Sequence, residues 1–243
     1  MIEVEAFSKL YGDLRAVQSL SFSVQSGEVV GLVGPNGAGK TTTLRSIAGI
    51  VRPTEGTIRV AGHDLAREPV AAKRELAFIP DEPQLFEYLT VMEHLRLTGR
   101  IYQVAAVESR ARALIDALQL SDKTDALPAE LSRGMKQKVT IACALLHDPS
   151  ALLFDEPLTG LDPLGIRQMK ATIVSRAADG AAVVLSSHLL HLVEEVCTRI
   201  LILHRGVGIA DGTLAQLTAQ ARAAGAGSTL EQIFLDATAR EHH

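Results

Sequence analysis

Apolar and polar residues alternate along Leu20-Ser-Phe-Ser-Val24, a polar turn follows at Gln25-Ser-Gly-Glu28, and Val29-Val-Gly-Leu-Val33 is an unbroken apolar run. Alternation marks a strand with one wet face, and a continuous run marks a strand covered on both faces. The stretch therefore predicts an exposed strand, a hairpin turn and a buried strand. From Lys40 to Ile50 there is no Pro, and Leu44, Ile47 and Ala48 share one face, which predicts a helix closed at Gly49 and Pro53. Two further strand–helix pairs follow, at 151–154 with 164–178 and at 182–185 with 189–197. Strands alternating with helices predict an α/β fold, a parallel sheet covered on both faces.

Residues 86–148 read almost entirely as helix, over 90–102, 107–120 and 132–146, and form a helical insertion in the sheet domain. Ile200-Leu-Ile-Leu203 and Val207-Gly-Ile-Ala210 flank His204-Arg-Gly206 as a hairpin. Small residues at 221–228 predict a hinge before a short amphipathic tail at 230–237. The expected organisation is a core of residues 1–85 and 149–220, a helical part at 86–148, and a hinge and tail from 221 to 243.

With 47% apolar, 21% charged and 4% aromatic residues among 243, the chain has the make-up of an ordinary globular protein and not of a disordered or fibrous one. Lys and Arg number 24 against 28 Asp and Glu, a net charge of −4, so no global basic field draws in nucleic acid or anionic lipid. Any anion must be bound locally. Cys143 and Cys197 stand in apolar stretches 54 positions apart, as small buried hydrophobes in a reducing compartment, not as a zinc pair. The start, Met1-Ile-Glu-Val-Glu5, lacks a basic, then apolar leader, and no apolar run reaches the roughly 18 residues of a membrane span. A soluble, non-secreted chain is expected. Glu241-His-His could be native or a tag remnant and carries no weight.

Gly34-Pro-Asn-Gly-Ala-Gly-Lys-Thr41 matches G-x-x-x-x-G-K-[ST], after a buried strand and before a helix. Glycines let the backbone wrap a phosphate chain so that N–H groups point inward, and the helix adds the positive end of its dipole. Lys40 is then placed to neutralise the β- and γ-phosphates, and Thr41 to ligate Mg²⁺. Phe154-Asp-Glu156 ends the next apolar strand, so both carboxylates emerge where open α/β sheets bind ligands. Asp155 is expected to hold Mg²⁺ through water and Glu156 to polarise the attacking water. His188, after the third strand at the same edge, is placed to donate to the γ-phosphate.

Leu131-Ser-Arg-Gly-Met-Lys-Gln137 opens a helix with Ser132 as its N-cap. Together with the phosphate loop, Asp155-Glu156 and His188, it makes the chain, over about residues 2–212, resemble the ATP-binding cassette (ABC) ATPases. The resemblance implies a RecA-like P-loop core with an N-terminal antiparallel β subdomain, and a helical subdomain carrying the signature. It implies that Tyr11 stacks on adenine, and that Gly34, Pro35, Asn36, Gly37, Ala38, Gly39, Lys40, Thr41 and Thr42 hold the phosphates. Ser132, Arg133, Gly134 and Met135 would meet the γ-phosphate held by a second copy, and Leu161 and Asp162 would lie at that dimer contact. The family's signature usually reads L-S-G-G-Q, whereas this chain has Arg133 and Met135 at the third and fifth places. Where the family places a Gln after Pro80, this chain has Asp81, a candidate for Mg²⁺ or its water, with Gln84 as another candidate for that loop. Asp122-Lys-Thr-Asp125 lacks the Asn of a guanine-reading motif.

The implied protein is a Mg²⁺-dependent ATPase forming an ATP-sandwiched homodimer. It would drive a separate transmembrane permease subunit, more in keeping with export than import, and sit in the cytoplasm against the inner face of the cell membrane. No nucleic acid partner is expected. Leu85, Phe86 and Tyr88 either contact the permease or pack the insertion. The alternatives are a soluble ATP-gated clamp on ribosomes or nucleic acid, and a regulatory ATP-binding module with little turnover.

Overall fold

The computed structural model describes residues 1–158, 161–223 and 229–239. Strands β1 (Ile2–Tyr11) and β2 (Leu14–Val24) form an antiparallel pair, and β3 (Val29–Val33) leads into helix α1 (Lys40–Ile47). Next come β4 (Glu55–Val60), β5 (His63–Asp64), α2 (Pro69–Arg74) and β6 (Leu76–Ile79). Residues 86–148 hold α3 (Val91–Ile101), α4 (Val107–Ala117) and α5 (Arg133–Leu145), with two short 3₁₀ turns between α4 and α5. The chain then returns through β7 (Ala151–Asp155), α6 (Pro163–Ala178), β8 (Ala182–Ser187) and α7 (Leu190–Val196). It closes with β9 (Arg199–His204), β10 (Val207–Gly212), α8 (Leu214–Ala223) and α9 (Leu230–Ala239).

Two sheets result. One has the order β2-β1-β4-β5 and the other β10-β9-β3-β8-β7-β6, parallel except for β10 at its edge. The alternation at 20–24 holds, with Leu20, Phe22 and Val24 buried, but the predicted hairpin does not. β2 pairs with β1, while β3 lies between β8 and β9 in the other sheet. Every residue of β3 is buried. A strand without a wet face belongs at the centre of a covered sheet, whereas an alternating one suits a half-exposed antiparallel sheet.

Period-two geometry splits each central strand between two cores. Val29, Val33, Leu152, Phe154, Val183 and Leu185 face a cluster shared with α3–α7, whereas Val30, Leu32, Leu153 and Val184 face the antiparallel sheet and α1. Truncating such a residue, for example Phe154→Ala, costs about 3–5 kcal/mol. The expected hinge at 221–228 is corrected at its start, because residues 221–223 form the last turn of α8. Small residues there include alanines, which favour helix. Residues 224–228 and the terminal 240–243 lie outside the described residues.

The register sets the site. Val33 pairs with Ser187 and Asp155 with Ser186, so β3, β7 and β8 end side by side. Three loops thus open at one edge of the sheet, the usual ligand edge of an open α/β fold.

Candidate functional site

The loop from Gly34 to Thr41 leaves β3 and enters α1. A Cβ on Gly34 would stand 2.4 Å from the Leu203 carbonyl oxygen, and Gly39 adopts φ +104 with the Ala16 carbonyl oxygen 2.7 Å from where a Cβ would be. Both positions exclude side chains. Gly39 leaves the N-terminus of α1 without a side-chain cap, and no acidic residue occupies its first turn. Orphan N–H groups and the helix dipole there favour an anion. Lys40 is buried, and its Nζ donates to the carbonyl oxygens of Gly34 at 2.7 Å and Pro35 at 3.3 Å. Burial lowers its pKa, against the opposing pull of Glu156 and Asp155.

Asp155, 4% exposed, accepts from Thr41 Oγ1 at 3.1 Å and from Ser186 Oγ at 2.7 Å. The same Ser186 Oγ accepts from Glu156 N at 3.0 Å, and the Ser186 carbonyl accepts from that amide at 3.2 Å. This double anchor holds Glu156 at φ +49, a left-handed conformation that costs a non-glycine residue about 1–3 kcal/mol. Glu156 Oε2 lies 2.8 Å from His188 Nδ1 and also accepts from His188 N at 3.3 Å. One carboxylate oxygen is thereby tied down. Ser186 escaped the sequence reading; the available signal was a Ser-Ser pair closing an apolar strand.

A cleft of about 570 Å³ is lined by Tyr11, residues 36–42 of the loop, Arg15 and Arg205, and reaches Asp81 and Glu156. Tyr11 is 46% exposed, and Lys9 Nζ lies 5.0 Å from its ring centroid. The hairpin tip carrying Arg205 is bound to the phosphate loop, with Gly206 N donating to the Ala38 carbonyl and Gln18 N to the Gly206 carbonyl. Arg15 and Arg205 come from β2 and the β9–β10 turn, and no local pattern links them to the loop.

The signature residues are placed differently. Ser132 caps α5, its Oγ accepting from Met135 N at 3.2 Å. Arg133 is exposed and pairs with Asp81 at 3.2 Å, while Gly134 and Met135 are half-buried. Residues 132–135 line neither the Tyr11 cleft nor the second cleft, of about 660 Å³, which Thr41, Asp81, Gln84, Asp155 and Glu156 share. Asp162 caps α6, accepting from Gly165 N at 2.7 Å, and Leu161 packs on the large core; neither lines these clefts. Of the three residues at the mouth of the helical part, Leu85 packs inward, whereas Phe86 and Tyr88 are 63% and 86% exposed. Asp122 and Lys123 lie in a 3₁₀ turn, and residues 122–125 line neither cleft.

Residues 17–159 match the profile of the family described as ABC transporter. The Nod factor export ATP-binding protein I of Paraburkholderia xenovorans is 40% identical over 220 residues, 90% of this chain and 72% of that protein. A solved ATP-binding subunit of an ABC transporter superposes with a TM-score of 0.92 at 38% identity, covering 98% of this chain and 99% of its own. The cassette MJ0796, solved as a dimer in a post-hydrolysis state with ADP and Pi, superposes at 0.79 with 25% identity over 88% of this chain and 98% of its own.

Proposed function

The chain belongs to the ABC transporter family as its ATP-binding, ATP-hydrolysing cassette, and from that premise we propose that two copies close on two ATP molecules to drive export through a separate transmembrane permease. The observation that carries this reading is the separation of the site's halves. Lys40, Thr41, Asp155, Glu156 and His188 converge at one sheet edge, and residues 132–135 line neither cleft there. A second copy, head to tail, would bring its Ser132 and the N-terminus of its α5 to the γ-phosphate.

The residues have complementary tasks. Tyr11 stacks on the adenine, the amides of 36–42 and Lys40 hold the phosphates, and Arg15 and Arg205 add positive charge to the same cleft. Thr41 and Asp155 offer a hydroxyl and a carboxylate 3.1 Å apart, hard oxygen donors that fit Mg²⁺ completed by phosphate and water. Mg²⁺ held there would neutralise charge on the phosphate oxygens. Glu156 accepts a hydrogen bond from water and aims its oxygen at the γ-phosphorus. The bond from the water oxygen to the γ-phosphorus forms as the bond from phosphorus to the β–γ bridging oxygen breaks, with the water's proton passing to Glu156 or to the phosphate, and ADP and phosphate are released. His188 fixes Glu156 and faces the departing phosphate.

Among the described residues no helix is long and apolar enough to cross a membrane. Contact with the membrane would therefore be peripheral, through the permease, on the inner face of the cell membrane. Exposed Phe86 and Tyr88, beside the cleft between core and helical part, are the surface offered to it. The test is to recover tagged Glu156→Gln chain from detergent-solubilised native membranes with ATP and identify its companions. A stoichiometric multi-span protein supports the reading; ribosomal proteins or nucleic acid in its place reject it in favour of a soluble clamp.

A further inference from the structure

Two residues that depart from the family pattern meet each other. Arg133 NH2 donates to Asp81 Oδ1 at 3.2 Å, joining the first residue of α5 to the segment after β6. One turn along α5, Gln137 Nε2 donates to the Pro80 carbonyl at 3.3 Å. The corner at 80–81 is thus fastened to the signature helix at two points. A Gln at 81 could not form the ion pair, and a Gly at 133 has no side chain to do so.

We propose that Asp81 and Arg133 form a cis latch, in which the carboxylate occupies the signature guanidinium until the ATP phosphates of a second copy compete for it. This rests on the sandwich proposed above. A guanidinium paired with its own chain's carboxylate is neutralised towards the incoming phosphate. Both side chains are about half exposed, so the pair is weak enough to exchange, and phosphate offers the stronger bidentate partner. Asp81 acts here as a positioning residue for Arg133. Displacing the 80–84 segment, as a docked permease would, then frees the signature.

The experiment measures the ATP concentration for half-dimerisation of the Glu156→Gln chain by analytical ultracentrifugation, with and without Asp81→Asn, Asp81→Glu and Arg133→Gly. Asp81→Asn should lower that concentration by about two- to fivefold, the range of an exposed ion pair, and Asp81→Glu should restore the parent value. In the Arg133→Gly background, Asp81→Asn should change nothing further. A structural role alone would give the same Asp81→Asn effect in both backgrounds. Equal effects in the two backgrounds, no effect, or a rise in the ATP requirement overturns the latch while leaving the sandwich intact. A parent chain that stays monomeric at saturating ATP rejects the sandwich, and the latch with it.

Discussion

Around Lys40 the functional groups are held by their own chain: Asp155 by Thr41 and Ser186, Glu156 by Ser186 and His188, and the loop by the hairpin tip at Gly206. At Ser132–Met135 the arrangement is different, with an exposed helix start whose Arg133 is held by one half-exposed ion pair. Buried, multiply bonded groups are preorganised and add little reorganisation to a reaction. A helix start with Ser132 and Arg133 exposed and Gly134 and Met135 half-buried, tied through a weak solvent-exposed pair, is the more adjustable of the two. The rigid half of the proposed nucleotide site is thus the sheet edge around Lys40, and the adjustable half is the helix start at Ser132.

Breaking the rigid half should have the largest consequences. Glu156→Gln is expected to lower steady-state phosphate release by about 10²- to 10⁴-fold while nucleotide binding persists; undiminished turnover would exclude Glu156 as the group that polarises water. Lys40→Ala removes a buried cation from its anionic ligand and should weaken ATP binding by about 2–5 kcal/mol, read by calorimetry. Retention of full affinity would be incompatible with the phosphate-loop assignment. Ser186→Ala, which removes one hydrogen bond from Asp155 and one from the Glu156 amide, should raise the Mg²⁺ requirement of hydrolysis by about 10- to 100-fold. An unchanged Mg²⁺ titration would leave Ser186 as packing only.

The adjustable half should respond more gently. Ser132→Ala removes an N-cap, costing about 1 kcal/mol, or roughly 2–4 °C in melting temperature. It should weaken ATP-driven dimerisation yet spare the monomer's affinity for nucleotide, and a loss of both would show that the halves are not separable. The two cysteines compare the regions directly. Burial raises the Cys143 thiol on α5 to about 11 and the Cys197 thiol behind β3 to about 12. Both should resist alkylation at pH 8, Cys143 opening first. Since each folded value exceeds the unfolded 9.0, their stabilising contribution is intact below pH 9 and is lost as pH rises through about 11 to 12. Faster labelling of Cys197 would invert the proposed order of rigidity.

Local pattern by itself determined the glycine loop between buried strand and helix, the carboxylates closing an apolar strand, the three helices within 86–148, and the hairpin at 199–212. Each is written in adjacent residues, where periodicity and turn chemistry act. Tertiary structure alone decided that β2 and β3 enter different sheets, because strand partners are chosen by which faces must be buried and not by the turn between them. It also decided that Ser186 would serve two carboxylates, that Arg15 and Arg205 would flank Tyr11, and that Asp81 would find Arg133 52 positions away. Contacts between distant residues depend on register and on the packing of whole elements, and neither is encoded in any single stretch of chain.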